Sequence, residues 1–186
     1  AEVSAITEAA MRGEIADYAE SLRRRVAMLA GVDASLLQRV LDEKLRLNPG
    51  AEKLLSTARK HGLKTLLVTG GFTFFNAAMQ QRLGFDTTCS NELKLADHKL
   101  TGAVSGPNDG PIIDAEGKAQ AVRDLCTSLG CKTEQAIVMG DGANDLNMMK
   151  LAGLSVAFNA KPVVRAQATQ ALNYSGLDGV LEWFSE

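Results

Sequence analysis

The sequence predicts an α/β fold, a mostly parallel three-layer sheet preceded by a small helical bundle, and three observations carry that expectation. Apolar runs rich in β-branched residues alternate with helix-patterned segments from residue 49 onward. One such run, Ile137-Val138-Met139, ends on Gly140-Asp141-Gly142 and leads straight into a helix pattern with Leu146 and Met149 three apart. Residues 1 to about 47 show helical periodicity and no strand signal.

With 186 residues, 46% of them hydrophobic, the chain can bury the core of one main domain with a small appendage. A net charge of −2 with both signs interspersed argues against a nucleic-acid surface or a polybasic membrane patch and toward a small-molecule partner. No apolar run approaches the ~20 residues of a spanning helix and no signal peptide is visible, so a cytoplasmic location is expected. Cys89, Cys126 and Cys131 are odd in number, lack metal-ligand spacing and read as reduced, packed thiols. The oligomeric state leaves no mark in the sequence. The chain opens on Ala1, inside the helical pattern Val3, Ile6, Ala9, Ala10, so a preceding segment is expected.

In order, the first helix is expected to reach Met11, and Asp17-Tyr18-Ala19-Glu20 resembles a capping box opening the next. Asp33 offers an N-cap before Leu36, Leu37, Val40, Leu41 and Leu45. Asn48-Pro49-Gly50 marks the boundary, with Pro49 suited to the first turn of a helix that runs to His61 and stops at Gly62. Leu63-Lys64-Thr65-Leu66-Leu67-Val68 reads as a buried parallel strand ending on Thr69-Gly70-Gly71, followed by a helix from about Phe72 to Leu83. Residues 86–106 break the rhythm and read as an antiparallel hairpin turning at Ala96-Asp97-His98-Lys99. A loop at Gly106-Pro107-Asn108-Asp109-Gly110-Pro111 precedes a helix carrying Lys118. Strands at 135–139 and 154–158, a short helix at 161–165, a weak strand at 171–173 and a terminal helix over 177–184 complete the expectation.

Asp141 and Asp145 would overlook the crevice outside the carboxyl ends of the strands, where ligands bind open α/β sheets. Two carboxylates there suit Mg²⁺, which is held by one or two carboxylates while phosphate and water complete its octahedron. The competing reading is a solvated turn in which Asp141 or Asn144 merely caps the helix. Thr69-Gly70-Gly71 suits phosphate binding, through backbone N–H groups that glycines expose and the positive end of the next helix, or is a plain Gly-rich turn. Arg23-Arg24-Arg25 could form a solvated face supporting Glu20. Lys118 alone reads as a surface helix residue, His61 as a helix-dipole partner, and Met148 and Met149 as packing.

Taken together, Thr69-Gly70-Gly71, Lys118 and Gly140-Asp141-Gly142-Ala143-Asn144-Asp145 resemble three motifs of the haloacid dehalogenase superfamily of aspartate-nucleophile phosphatases. The likeness tightens with Gly70-Gly71-Phe72-Thr73-Phe74-Phe75, Leu100-Thr101-Gly102, Asp114-Ala115, Met148-Met149 and Ala160-Lys161-Pro162. With Met11-Arg12-Gly13-Glu14 and Ser21-Leu22-Arg23-Arg24-Arg25-Val26, which resemble a helical cap, it points to the phosphoserine phosphatase branch over essentially the whole length. The resemblance implies a Rossmannoid three-layer sandwich, with residues 1–47 as a partial cap and 48–186 as a core lacking its first strand. It implies Mg²⁺-dependent hydrolysis of phosphoserine to serine and phosphate through an aspartyl-phosphate, the last step of serine biosynthesis. Asp141 would ligate Mg²⁺; Asp145 would hold Lys118 and metal-bound water; Lys118 would screen the phosphate. Thr69 and Gly70 would bind phosphoryl oxygens, Asn144 the phosphate or substrate, Arg25 the serine carboxylate, and Tyr18 would wall the pocket.

The superfamily's first motif, Asp-x-Asp-x-Thr, is absent, and Asp33, Asp109 and Asp114 have no second aspartate two residues on. The nucleophile is therefore expected upstream of residue 1, which makes the fragment alone inactive; the alternative is a homologue that binds ligand without turnover. A related enzyme acting on another substrate, or passing the phosphoryl group to an alcohol such as homoserine, is the other alternative. Tyr18 stands where phenylalanine is usual, Thr69 replaces the commoner serine, and the segments at 14–18 and 106–111 are longer than the pattern.

Overall fold

The computed structural model describes residues 17–184, so the helix expected to end at Met11 and the cap motif at 11–14 lie outside the described residues. The chain forms two compact units. Among the described residues, the first takes the chain up to Leu45 with Thr69–Asn76 and Ser90–Asp114, and the second takes Arg46–Val68, Ala77–Cys89 and the chain from Ala115 on.

In the first unit, helix α1 (Tyr18–Ala27) starts at Asp17, whose carboxylate accepts the Ala19 N–H at 2.8 Å. Only half of the expected capping box forms, because Glu20 pairs with Arg24 at 2.8 Å instead of returning to the cap. Leu22 and Val26 bury one stripe of α1 with Ile112, and Tyr18, Phe72, Leu93 and Val104 pack against them. Helix α2 (Ser35–Glu43) follows Ala34; Asp33 sits one residue ahead of the cap position and accepts the Ser35 N–H at 2.8 Å. Strands β2 (Thr87–Ala96) and β3 (Lys99–Ser105) form the expected hairpin, pairing Ala96 with Lys99 and Glu92 with Ser105. Its two turn residues, Asp97 and His98, have φ of 48° and 61°, the left-handed geometry that matches strand twist in a two-residue turn.

In the second unit, α3 (Ala51–Lys60) starts from Gly50 at φ 80°. Pro49 thus lies before the cap and not in the first turn, its carbonyl accepting the Leu177 N–H at 2.8 Å. Helix α5 (Ala115–Leu129), strand β4 (Ile137–Gly140), helix α6 (Leu146–Leu151), strand β5 (Leu154–Phe158), helix α7 (Pro162–Arg165) and strand β6 (Gln170–Leu172) continue the αβ alternation. β4, β5 and β6 are parallel, with Gly140 paired to Ala157 and Phe158 to Leu172. Ala119, Val122 and Cys126 of α5 pack with Val138, Met148, Met149, Ala157 and Val164, so both methionines are packing residues. A second cluster joins Val156, Phe158, Leu172 and Val180. The expected terminal helix winds as a 3₁₀ helix over Leu177–Trp183.

Strand β1 (Leu66–Phe72) starts three residues later than the apolar run and continues through Thr69, Gly70 and Gly71, so those residues are strand and not turn. Helix α4 (Thr73–Leu83) follows with no intervening loop. The strand is displaced because its N-terminal end is set by Asp86, which binds the Thr65 N–H and hydroxyl at 2.9 and 2.8 Å. The strands form two three-stranded sheets, β1-β2-β3 and β4-β5-β6, where the alternation alone predicts one. Among the described residues neither β1 nor β4 has a second hydrogen-bonded neighbour. No helix among the described residues is long and apolar enough to cross a membrane.

Candidate functional site

The second unit gathers its candidate residues at the carboxyl end of β4. After Gly140 the chain turns, makes one 3₁₀ turn over Ala143–Asp145 and enters α6. Asp145 organises this turn: its Oδ2 accepts the N–H groups of both Asp141 and Gly142 at 3.0 Å. Its Oδ1 takes the Lys118 ammonium at 2.6 Å. Lys118 and Asp145 are 7% and 4% exposed, so the lysine is a buried cation and not a surface helix residue. Such a pair persists because the carboxylate is saturated by donors; either charge left alone there would be strongly destabilising. A side chain at Gly140 would collide with Asp145, which explains glycine at that position. The turn is capped by Asp145, not by Asp141 or Asn144 as the plain-turn reading holds.

Asp141 is therefore left exposed at the mouth of the turn, and among the described residues its carboxylate pairs with no other side chain. Asn144 is half-buried, its amide oxygen against the space that glycine leaves open at Gly142. Among the described residues no three His, Cys, Asp or Glu side chains cluster closely enough to hold a metal. The only unpaired carboxylate of this turn is thus that of Asp141, since Asp145 is taken up by Lys118 and by the Asp141 and Gly142 N–H groups; one carboxylate fits a hard cation completed by water and phosphate and does not fit a closed protein cage.

The first unit gathers the other candidates. Tyr18 Oη donates to the Gly70 carbonyl at 3.4 Å, and a side chain at Gly70 would collide with that hydroxyl. Burial pushes the Tyr18 phenol up; the Arg25 guanidinium, which hydrogen-bonds it, pulls the other way, and the Asp114 charge adds to the rise. Arg25 also donates Nε to the Ser21 carbonyl at 3.3 Å. The arginine run therefore divides: Arg23 is exposed, Arg24 pairs with Glu20 in solvent, and half-buried Arg25 turns to Tyr18. Thr69 Oγ1 accepts the Gly71 N–H at 3.0 Å. Of the acidic residues nearest the missing motif, Asp33 holds Ser35 N–H, Asp109 pairs with Lys94, and Asp114 faces Tyr18.

One residue in this unit escapes the sequence reading. Asn91 is fully buried, its Nδ2 donating to the Gly70 carbonyl at 2.9 Å and its Oδ1 accepting the Ile113 N–H at 2.8 Å. Asparagine is depleted from strand interiors, so its place inside β2 was the available signal.

The haloacid dehalogenase-like hydrolase family model matches residues 3–150. The chain is 54% identical to the phosphoserine phosphatase of Polaromonas sp. over 182 residues, 98% of this chain and 77% of that protein. It is similar to the unliganded crystal structure of a probable phosphoserine phosphatase from Vibrio cholerae, with 39% identity and a TM-score of 0.87, covering 97% of this chain and 54% of that one. A phosphoserine phosphatase structure described as a phospho-aspartyl intermediate analogue is 30% identical with a TM-score of 0.86, covering 98% of this chain and 84% of that one. The chain thus spans about half the length of the Vibrio cholerae chain and about three quarters of the Polaromonas protein.

Proposed function

This chain belongs to the haloacid dehalogenase-like hydrolases, and from that premise we propose that the complete protein hydrolyses O-phosphoserine to serine and phosphate with Mg²⁺. The observation that carries the proposal is the buried Lys118–Asp145 pair, locked onto the Gly140-Asp141-Gly142 turn. A fixed cation beside a turn that holds a free carboxylate at its mouth is what metal-assisted phosphoryl transfer needs, since its catalysis is positioning and charge stabilisation. The likeness to phosphoserine phosphatases supplies the substrate.

Attack by a carboxylate on phosphorus breaks the ester P–O bond, the serine oxygen leaves and takes a proton, and water then hydrolyses the acyl phosphate. In this reading neither Asp141 nor Asp145 is the attacking carboxylate. In this reading Lys118 screens the repulsion between that carboxylate and the phosphate dianion, and Asp145 keeps the ammonium in place. Thr69 donates its hydroxyl to a phosphoryl oxygen, Gly70 its N–H, and Asn144 its amide. Arg25 presents a guanidinium fork to the serine carboxylate and Tyr18 an apolar wall with a neutral hydroxyl at its edge. Asp141 would hold Mg²⁺, which when bound supplies positive charge to the phosphoryl oxygens. The cap role of residues 1–47 belongs to this reading.

Phosphate release from phosphoserine, phosphothreonine and generic phosphomonoesters, measured on the complete polypeptide, tests it. The proposal requires phosphoserine to have the highest kcat/KM; preference for an alcohol acceptor over water points instead to a phosphotransferase.

A further inference from the structure

The peptide between Gly70 and Gly71 is gripped from both sides. Its carbonyl accepts Asn91 Nδ2 at 2.9 Å and, more weakly, Tyr18 Oη at 3.4 Å, while its N–H donates to Thr69 Oγ1 at 3.0 Å. A trans peptide holds C=O and N–H in opposite directions, so fixing one fixes the other. That matters most where neither flanking residue has a Cβ, because a Gly-Gly peptide meets little steric resistance to rotation.

The Asn91 amide is itself oriented without ambiguity. Oδ1 receives a backbone N–H from Ile113 at 2.8 Å, so the group facing Gly70 is the NH₂. The backbone at Asn91 is pinned as well: its carbonyl accepts Thr73 Oγ1 at 3.0 Å, and Ser90 Oγ donates to the same Thr73 hydroxyl at 3.3 Å. Thr73 is the first residue of α4, so Asn91 is tied to the strand end, the following helix and the segment leading to Asp114. Asn91 is 0% exposed, so rotation of the Gly70-Gly71 peptide would leave the Asn91 amide hydrogens unpartnered away from water.

We propose that Asn91 is a positioning residue for phosphate binding, acting through the Gly70-Gly71 peptide on the Thr69 hydroxyl. With the Gly71 N–H seated on Thr69 Oγ1, an acceptor site of that oxygen is filled and its own proton is left to donate outward. Rotation of the peptide would replace the N–H by a carbonyl, which would take the hydroxyl proton for itself. The proposal rests on the reading that Thr69 binds a phosphoryl oxygen.

The test compares Asn91→Asp and Asn91→Ala with the unaltered complete polypeptide, reading kcat and KM for phosphoserine from mildly acidic to mildly alkaline pH. Ionised aspartate keeps the acceptor for Ile113 but puts an acceptor against the Gly70 carbonyl; protonated, it regains a donor. Asn91→Asp is expected to lower kcat about 10- to 100-fold at alkaline pH and to recover as the pH falls, while Asn91→Ala stays low throughout. Unchanged kcat in Asn91→Asp, or an equal and pH-independent loss in both variants, overturns the proposal. Should neither variant fold, NMR of the unaltered protein decides: slow exchange of the Asn91 side-chain amide protons supports the clamp, and exchange at the rate of exposed amides refutes it. Absence of phosphoserine hydrolysis by the unaltered protein would instead defeat the functional reading, and the amide-exchange result would still report on the clamp.

Discussion

Lys118 Nζ lies 2.6 Å from Asp145 Oδ1, with side chains 8% and 5% exposed, and the other oxygen of Asp145 holds the turn that presents Asp141. The buried lysine and the fold of the turn are therefore coupled at one carboxylate. Removing either partner strands a buried charge, so Lys118→Met or Asp145→Asn should each cost about 3–5 kcal/mol. The double variant should lose less than the sum. Urea unfolding of the four proteins measures the coupling, and strictly additive losses would contradict it.

Gly70 touches Tyr18 so closely that a methyl group cannot be added without displacing the phenol. Gly70→Ala should destabilise by about 1–3 kcal/mol through overpacking. Tyr18→Phe, which removes the hydroxyl that the methyl meets first, should recover part of that loss in the double variant. Thermal unfolding reads this, and Gly70→Ala with unchanged stability would mean that the two residues are not in contact.

Much of this was legible in the chain. The strand at 154–158, the hairpin, the helix starting near Asp114 and the β4 turn follow from periodicity and from glycine placement. What periodicity could not supply was the partner of each polar group. Asp145 and not Asp141 caps the turn because only a residue three positions into the helix can reach back to both free N–H groups. The late start of β1 depends on Asp86, twenty-one residues away in sequence from Thr65, and Asn91 acquires its meaning from Gly70 and Ile113, both distant. Local pattern also gave no warning that Thr69-Gly70-Gly71 would continue a strand, since glycine there answers to Tyr18 and not to a turn.

Arg25 leans on Tyr18 and on the Ser21 carbonyl, while Arg24 is spent on Glu20. Arg25→Ala should therefore lower kcat/KM for phosphoserine by about 10-fold or more while sparing a small phosphoester that has no carboxylate. Arg24→Ala should leave both unchanged. Equal loss on both substrates from Arg25→Ala would mean that the arginine supports folding alone.

Asp86 accepts Lys64 Nζ at 2.9 Å and the Thr65 N–H and hydroxyl, which together pull its carboxyl from an ordinary 3.8 to about 2. As pH falls the unfolded chain takes up this proton first, so the stabilisation is complete above about pH 4 and fades between about pH 4 and about pH 2. Asp86→Asn should cost about 1 kcal/mol at neutral pH and flatten the acid limb. Chemical unfolding across that range checks it; an unchanged acid limb would show that Asp86 does not contribute.

A Mg²⁺ titration of phosphoserine hydrolysis in the complete protein, run beside Asp141→Asn, decides whether this carboxylate holds a metal the reaction needs. Asp141 is exposed, so the variant should unfold like the parent. Activity should rise from baseline with Mg²⁺ in the parent and stay at baseline in the variant at every concentration. Hydrolysis independent of the metal, or a variant that titrates like its parent, would contradict that role for Asp141.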